Sequence, residues 1–393
     1  MKVVINLLEF NPGAMGGIET YVRNILNRLV NGSNQNSCTV ICSESTADYF
    51  AAIDERIKLK VIVNRRKSFH RLTRSFVRKI AGIDMLARAI DQCGADVVHN
   101  PLTNVRPLDL VTPSVLTFYD MQHEYYPQLF SPNELQRRRA KYEKAVRMAD
   151  RVIAISGHVK MSLVEKYGVD ADKIDVVYLG CGTEYRLLDH DARSEEIKQK
   201  YALDRPYMYY PAATWPHKNH KNLLAALRNL KEQNSFDGEL VLTGIAMQAH
   251  SEILEEIERL GLTGTVKVLG YLPYNELPYV YNMARLLVFP SLFEGFGIPL
   301  VEAMACGCPV VCSNVTSIPE VIGDAGVMFD PHSPSDIAEK ILTVWNTREI
   351  RDTLRSKGLA RAHMFNWDET ARKTVEVYGR TSRGVQSALK DNC

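Results

Sequence analysis

Short, uninterrupted apolar runs rich in Val and Ile alternate with stretches of helical periodicity through most of this chain, and few folds accommodate that alternation. An apolar run without polar interleaving needs cover on both faces. A parallel sheet with helices on each side provides it. The runs Val3–Leu8, Thr39–Ser43, Leu59–Val63, Asp96–His99, Ser114–Phe118, Arg151–Ile155 and Ile174–Val177 predict strands in the first half. Helices are expected between them, for example over Ile18–Val30 and Leu135–Ala149. The rhythm breaks at Gly180-Cys181-Gly182 and the polar run Asp189–Lys200. It resumes with strands over Tyr207–Tyr210, Glu239–Thr243, Val266–Leu269, Leu286–Pro290, Pro309–Ser313 and Gly326–Phe329. Helices over Leu223–Gln233, Ser251–Leu260, Pro299–Ala305 and Ser335–Thr343 fall between these strands. The expectation is α/β architecture in two doubly wound domains, 1–180 and 181–365, with the boundary between Tyr178 and Pro206.

A length of 393 residues suits two domains. Lys and Arg number 48 against 46 acidic residues, which lacks the basic excess of a nucleic-acid binder, so no nucleic-acid partner is expected. The eight cysteines are scattered, and the Cys306-x-Cys308 pair has no second pair at zinc spacing. No metal is expected. Reduced, mostly buried thiols fit a cytoplasmic protein. The opening MKVVINLLEFNPG reads as a first strand rather than a signal peptide, and no run reaches the ~18 apolar residues that span a bilayer.

The strongest chemical signal is Phe289-Pro290-Ser291-Leu292-Phe293-Glu294-Gly295-Phe296-Gly297-Ile298-Pro299-Leu300-Val301-Glu302. A strand ends at Pro290, a turn carries two glycines, and Pro299 stands where helices accept proline. The Glu294 and Glu302 carboxylates can accept hydrogen bonds from hydroxyls at two ends of one ligand. The glycine-flanked amides can approach polar oxygens closely. A plain strand–turn–helix with solvated glutamates has the same spacing. A second loop, Tyr210 to Asn222, follows the first strand of the second half, and its Lys218 can meet a diphosphate as a mobile point charge. Trp215 in this loop reads as a packing residue.

Four first-half loops follow strands. Gly13-Ala14-Met15-Gly16-Gly17-Ile18-Glu19 is glycine-rich, though it is no GxGxxG, and NAD binding is weakly supported. Glu19 suits the first turn of the following helix. Phe118-Tyr119-Asp120-Met121-Gln122-His123-Glu124 should overhang a strand end, with Asp120 and His123 as candidates and His123 slightly preferred. His99, Asn100, Ser156 and His158 share that topology with weaker support. The segment Asn64–Ile80 interleaves seven cations with Phe69, Leu72, Phe76 and Ile80 on one helical stripe. It reads either as an amphipathic helix packed on its own domain or as one lying on an anionic membrane.

With its flanks, SLFEGFGIPLVEAMACGCPVV and the following Ile318-Pro319-Glu320-Val321-Ile322-Gly323-Asp324-Ala325-Gly326, the Glu294…Glu302 pair resembles the signature of retaining GT-B glycosyltransferases of family 4. Bacterial O-antigen and polysaccharide mannosyltransferases are of this kind. The resemblance covers nearly the whole chain. It implies two Rossmann-like domains facing across a cleft, the second binding a nucleotide sugar, with 366–393 forming a final helix that crosses back to the first. Trp367 would pack at that crossing. Glu294 would then contact the donor sugar, joined by Phe296, Gly297 and Ile298, and Glu302 would bind the ribose hydroxyls. Lys218 matches the family's Lys-Asn. The family's earlier loop Arg is replaced by Ala212-Ala213-Thr214, so Thr214, His217 or a helix N-terminus would have to substitute. Gly16 and Gly17 match a glycine pair lining the acceptor side and touching the donor phosphates, and Asp120 or His123 matches a loop His near the sugar.

The implied activity is retaining transfer of a hexose, first of all mannose from GDP-mannose, to a glycan or lipid-linked acceptor. It requires no cofactor or metal. UDP-linked donors, a nucleotide-sugar epimerase and a non-catalytic sugar binder are the alternatives.

Overall fold

The computed structural model describes residues 1–13, 15–31, 37–62, 85–105, 110–189, 191–233 and 236–390. The basic segment Asn64–Ile80 lies outside them. The chain divides into two compact units, Met1–Leu179 with Trp367–Cys393, and Gly180–Asn366.

Unit 1 contains β1 (Lys2–Asn6), α1 (Gly17–Asn31), β2 (Ser37–Ser43), β3 (Lys58–Ile62), β4 (Val97–Asn100), β5 (Ser114–Phe118), α2 (Gln122–Tyr125), α3 (Pro132–Met148), β6 (Arg151–Ala154), α4 (Gly157–Tyr167) and β7 (Ile174–Val176). The strands form one parallel sheet in the order β3-β2-β1-β4-β5-β6-β7. The central strands β4 and β5 are buried along their whole length, as an apolar run between two helical layers requires. Serines cap two helices. Ser131 accepts from the Glu134 amide at 3.3 Å, and Ser156 accepts from the Val159 amide at 3.1 Å. Such caps contribute about 1 kcal/mol each. Gly168 ends α4 at φ +61°, a conformation glycine adopts without Cβ strain.

Unit 2 contains α5 (Ala192–Lys200), β8 (Tyr207–Pro211), α6 (His220–Glu232), β9 (Glu239–Thr243), α7 (His250–Arg259), β10 (Val266–Gly270), α8 (Leu277–Met283), β11 (Leu286–Phe289), α9 (Ile298–Ala305), β12 (Val310–Ser313), β13 (Gly326–Phe329), α10 (Pro334–Asn346) and α11 (Arg348–Ala362). Its parallel sheet runs β10-β9-β8-β11-β12-β13. The strand order reverses between β8 and β11. Loops leaving the carboxyl ends of those two neighbours diverge there and open the place where such sheets hold ligands.

The polar run Asp189–Lys200, expected to break the rhythm, is instead mostly helix. Asp191 caps α5 by accepting from the Ser194 amide at 2.8 Å, and α5 buries only Ser194 and Ile197. So narrow an apolar face leaves little periodicity to read.

The last helix, α12 (Trp367–Lys390), belongs to unit 1. Trp367 is buried and packs tilted on Tyr21, with ring centroids 6.2 Å apart. Thr370 donates to the Tyr178 carbonyl at 2.8 Å, and Arg28 pairs with Asp368 at 2.7 Å. None of the described helices is long and apolar enough to cross a membrane.

Candidate active site

Two loops of unit 2 meet at the point where its strand order reverses. One leaves β8 and carries Lys218. The other leaves β11 and carries Glu294. Lys218 Nζ lies 2.6 Å from Glu294 Oε1, and the two side chains are 18% and 12% exposed. So sheltered a pair interacts more strongly than a surface ion pair, although desolvation offsets part of the gain.

The backbone around the pair is stitched from several directions. The Leu292 amide donates to the His217 carbonyl at 2.8 Å. The Tyr210 hydroxyl donates to the Lys218 carbonyl at 2.7 Å. The buried Asn219 stands at φ +60°, and its side-chain amide donates to the Pro290 and Pro331 carbonyls at 3.0 and 2.8 Å. The Glu294 amide donates to Thr316 Oγ1 at 3.1 Å, and Ser317 Oγ donates to the Glu294 carbonyl at 3.0 Å. Thr316 is β-branched yet sits at φ +57°, a conformation costing about 1–3 kcal/mol. Its neighbourhood holds it there while it supports Glu294.

Gly297 follows at φ +93°, and a Cβ on it would come within 3.0 Å of the Leu300 side chain. The positive φ is what favours glycine here, and the Leu300 side chain would also have to give slightly to admit a Cβ. Phe296 turns inward and is buried, edge-on to Phe365 with ring centroids 5.6 Å apart. α9 starts at Ile298, with Pro299 one place later than the sequence predicts. Glu302, in the next turn, accepts from the Tyr281 hydroxyl at 2.7 Å. Burial pushes its carboxyl up to about 7, against the opposing influence of Tyr281 and Tyr185.

The substitutes expected for a loop Arg are differently employed. Thr214 Oγ1 accepts from the Met247 amide at 2.7 Å. Burial, and then the neighbouring Lys218 charge, lowers His217 to about 3, so near neutrality it presents a neutral imidazole and not a second cation. Trp215, expected to pack, is 41% exposed.

In unit 1 the strand-end residues divide. Gly16 stands at φ +50° with open space where a Cβ would lie, and Gly17 opens α1. Glu19 reaches back from the first turn and accepts from the Gly13 amide at 2.7 Å and the Tyr49 hydroxyl at 2.8 Å, clasping the loop. Asp120 is partly exposed and accepts from the Gln122 amide at 3.0 Å. The expectation that His123 overhangs the strand end does not hold. It lies in α2 with no exposed surface, Nε2 2.7 Å from the Tyr167 hydroxyl, and burial lowers it to about 4. His99 is also a core residue, bridging Thr117 and Tyr378 at 2.7 Å each and lowered by burial to about 3. Asn100 is buried and accepts from Asn6 at 2.9 Å, and Ser156 is spent as a cap.

Comparison with known proteins adds to this geometry. Residues 15–185 match the model of Glycosyltransferase Family 4, and residues 193–361 match that of Glycosyl transferases group 1. The O-antigen chain mannosyltransferase B of Escherichia coli is 32% identical over 266 residues, 67% of this chain and 70% of that one. The chain belongs to the family 4 glycosyltransferases.

Another relative of this glycosyltransferase is the O-antigen chain mannosyltransferase RfbU of Salmonella typhimurium, 28% identical over 74% of this chain and 77% of that one. The serotype-specific mannosyltransferase WbdA of Escherichia coli is 32% identical over 63% of this chain, but that stretch spans only 30% of WbdA. Among solved structures, Anabaena Alr3699/HepE in complex with UDP and glucose superposes with a TM-score of 0.75 at 21% identity, covering 96% and 99% of the two chains. WaaG, a glycosyltransferase involved in lipopolysaccharide biosynthesis, superposes at 0.71 and 17% identity, covering 96% and 99%. These two likenesses show the GT-B fold.

Motif reading selected Lys218, Glu294, Gly297 and Glu302 in this glycosyltransferase, and missed Tyr281, Asn219, Thr316 and Ser317. Asn219 carried a weak signal, a buried-type polar residue before an amphipathic helix. The other three carried none, because their partners are 21 to 23 residues away in sequence.

Proposed function

We propose that this enzyme transfers a hexose from a nucleotide-diphosphate sugar, with retention at the anomeric carbon, to a glycan or lipid-linked acceptor in cell-surface polysaccharide synthesis. The observation that carries the reading is the meeting of Lys218 and Glu294 at the strand reversal of unit 2, 2.6 Å apart. A cation beside a carboxylate suits a ligand with a diphosphate at one point and sugar hydroxyls at the next. Glu294 accepts from the hydroxyls and holds Lys218 in place. Lys218 then balances the negative charge that builds on the diphosphate as the glycosidic bond breaks. The backbone amides of Phe296, Gly297 and Ile298 serve the same ligand, and Glu302 takes the pentose hydroxyls. Thr214 shapes the loop that carries Lys218.

From unit 1 we propose Gly16 and Gly17 for close backbone approach to a ligand and Asp120 as a side chain that meets sugar hydroxyls. His123 supports that loop from within the core, through its hydrogen bond to Tyr167 and its edge-on packing against Tyr142. No cofactor is part of this proposal.

Mannose from GDP-mannose is the donor we favour, because the E. coli and Salmonella relatives are named mannosyltransferases. Peripheral contact of Asn64–Ile80 with an anionic membrane is proposed on its sequence alone. A panel of GDP- and UDP-sugars, scored by thermal shift and by nucleotide release with and without acceptor, tests the donor. Stabilisation by GDP-linked sugars alone supports the reading. Stabilisation by UDP-sugars alone replaces the base. Free epimerised sugar without acceptor replaces the reaction class.

A further inference from the structure

Glu302 is held from one side by a tyrosine that the functional reading leaves unused. Tyr281, near the end of α8, donates through its hydroxyl to Glu302 Oε2 at 2.7 Å, and its side chain is completely buried. Two rings pack edge-on against it, Tyr209 of β8 at 5.0 Å and Tyr185 at 5.9 Å between centroids. A ring so enclosed has no alternative rotamer within reach, so the hydroxyl is a fixed point. A carboxylate offers about four acceptor positions, and Tyr281 occupies one of them on Oε2.

We propose that Tyr281 is a positioning residue for nucleotide-sugar binding: its hydroxyl pins one oxygen of Glu302 and so orients the other towards the vicinal hydroxyls of the nucleotide's pentose. The inference rests on the role given to Glu302 above.

The surroundings of Glu302 make Tyr281 the principal support of its charged form. The Tyr185 hydroxyl faces the same carboxylate and helps, without closing a hydrogen bond of standard geometry. Glu184 opposes it by like charge. Cys181, Cys306 and Tyr209 also face it, and burial raises all three, so they are uncharged near neutrality. Pentose hydroxyls donate best to a charged carboxylate. Nucleotide binding should therefore strengthen as pH rises through about 7. Removing the Tyr281 hydroxyl takes a donor from the charged form and moves that rise to higher pH.

The test is calorimetric titration of GDP, and separately UDP, into wild type, Tyr281→Phe and Glu302→Gln between pH 6 and 9. For whichever nucleotide wild type binds, Tyr281→Phe should weaken affinity about tenfold at pH 7 and move the pH midpoint up by about one unit. Wild-type affinity and midpoint in Tyr281→Phe, while Glu302→Gln loses binding, would overturn the inference and leave the role of Glu302 standing. So would a uniform loss with an unmoved midpoint, the mark of packing alone. If Glu302→Gln binds like wild type, or wild type binds neither nucleotide, the underlying reading falls and takes the inference with it. A second measurement needs no Tyr281 variant. In wild type carrying 13C-carboxyl glutamate, saturating nucleotide should lower the Glu302 titration midpoint, and an unmoved midpoint would overturn the underlying role of Glu302 and the inference with it.

Discussion

Units 1 and 2 are built alike, each a parallel sheet with helices between its strands, yet they spend the polar residues at their strand ends differently. In unit 2 the loops after β8 and β11 bring a cation and a carboxylate to 2.6 Å with limited exposure. In unit 1 the corresponding histidines go inward. His99 bridges two buried hydroxyls, and His123 is sealed beside Tyr167. A polar side chain at a strand end thus marks a ligand site only where it meets a second functional group there, and strand order alone does not decide this, since His99 stands on β4 beside β1 at unit 1's own strand reversal. Elsewhere the same residue satisfies a buried hydroxyl, which would otherwise cost about 1–3 kcal/mol.

The comparison can be broken most directly at Lys218. Lys218→Ala should lower kcat/KM about 10²–10³-fold and, by leaving the sheltered Glu294 carboxylate unpaired, cost about 1–3 kcal/mol of stability, measured by nucleotide release and thermal denaturation. A large loss of stability with little loss of turnover would make unit 2's pair structural, like unit 1's histidines. The converse variant is His99→Ala. It should cost about 2–4 kcal/mol in urea unfolding, from the cavity and the stranded Thr117 and Tyr378 hydroxyls, and leave nucleotide affinity intact. A smaller effect belongs to Glu302. Its folded carboxyl is raised from 4.5 to about 7, so the folded state holds a proton that the unfolded chain has released. This group's contribution is complete below pH 4.5 and is lost as pH rises through about 7. Relative to wild type, Glu302→Gln should therefore gain stability between pH 5 and 8, on the order of 1–2 kcal/mol. A flat difference across that range would contradict the assignment. The smallest effect is expected at Trp215, where an exposed ring changed to Ala should alter stability by less than about 0.5 kcal/mol. A loss of turnover there would show that unit 2's site extends further along the loop.

These contrasts also show where sequence reading succeeds and stops. The strands were legible because burial on both faces leaves uninterrupted apolar runs. Ser114–Phe118 and Glu239–Thr243, both fully buried, match residue for residue, and so does the partly buried edge strand Gly326–Phe329. The helix Ala192–Lys200 was not legible, since it buries two residues and shows mainly charge. Lys218 and Glu294 could be selected by loop motif. Their contact could not, because it depends on β8 and β11 being neighbours, a matter of strand order rather than spacing. His123 was misjudged because an imidazole after a strand looks the same in sequence whether it faces water or a tyrosine.

The return of α12 to unit 1 has a consequence for synthesis on the ribosome. Every strand of the seven-stranded sheet has been translated by residue 176, but the helix that covers Tyr21 and His99 begins at residue 367. The second unit is translated in the interval and has all its residues available while the first still lacks its final layer. The half of the protein made first is therefore finished last, and an interruption late in translation strands the amino-terminal portion rather than the portion nearest the break.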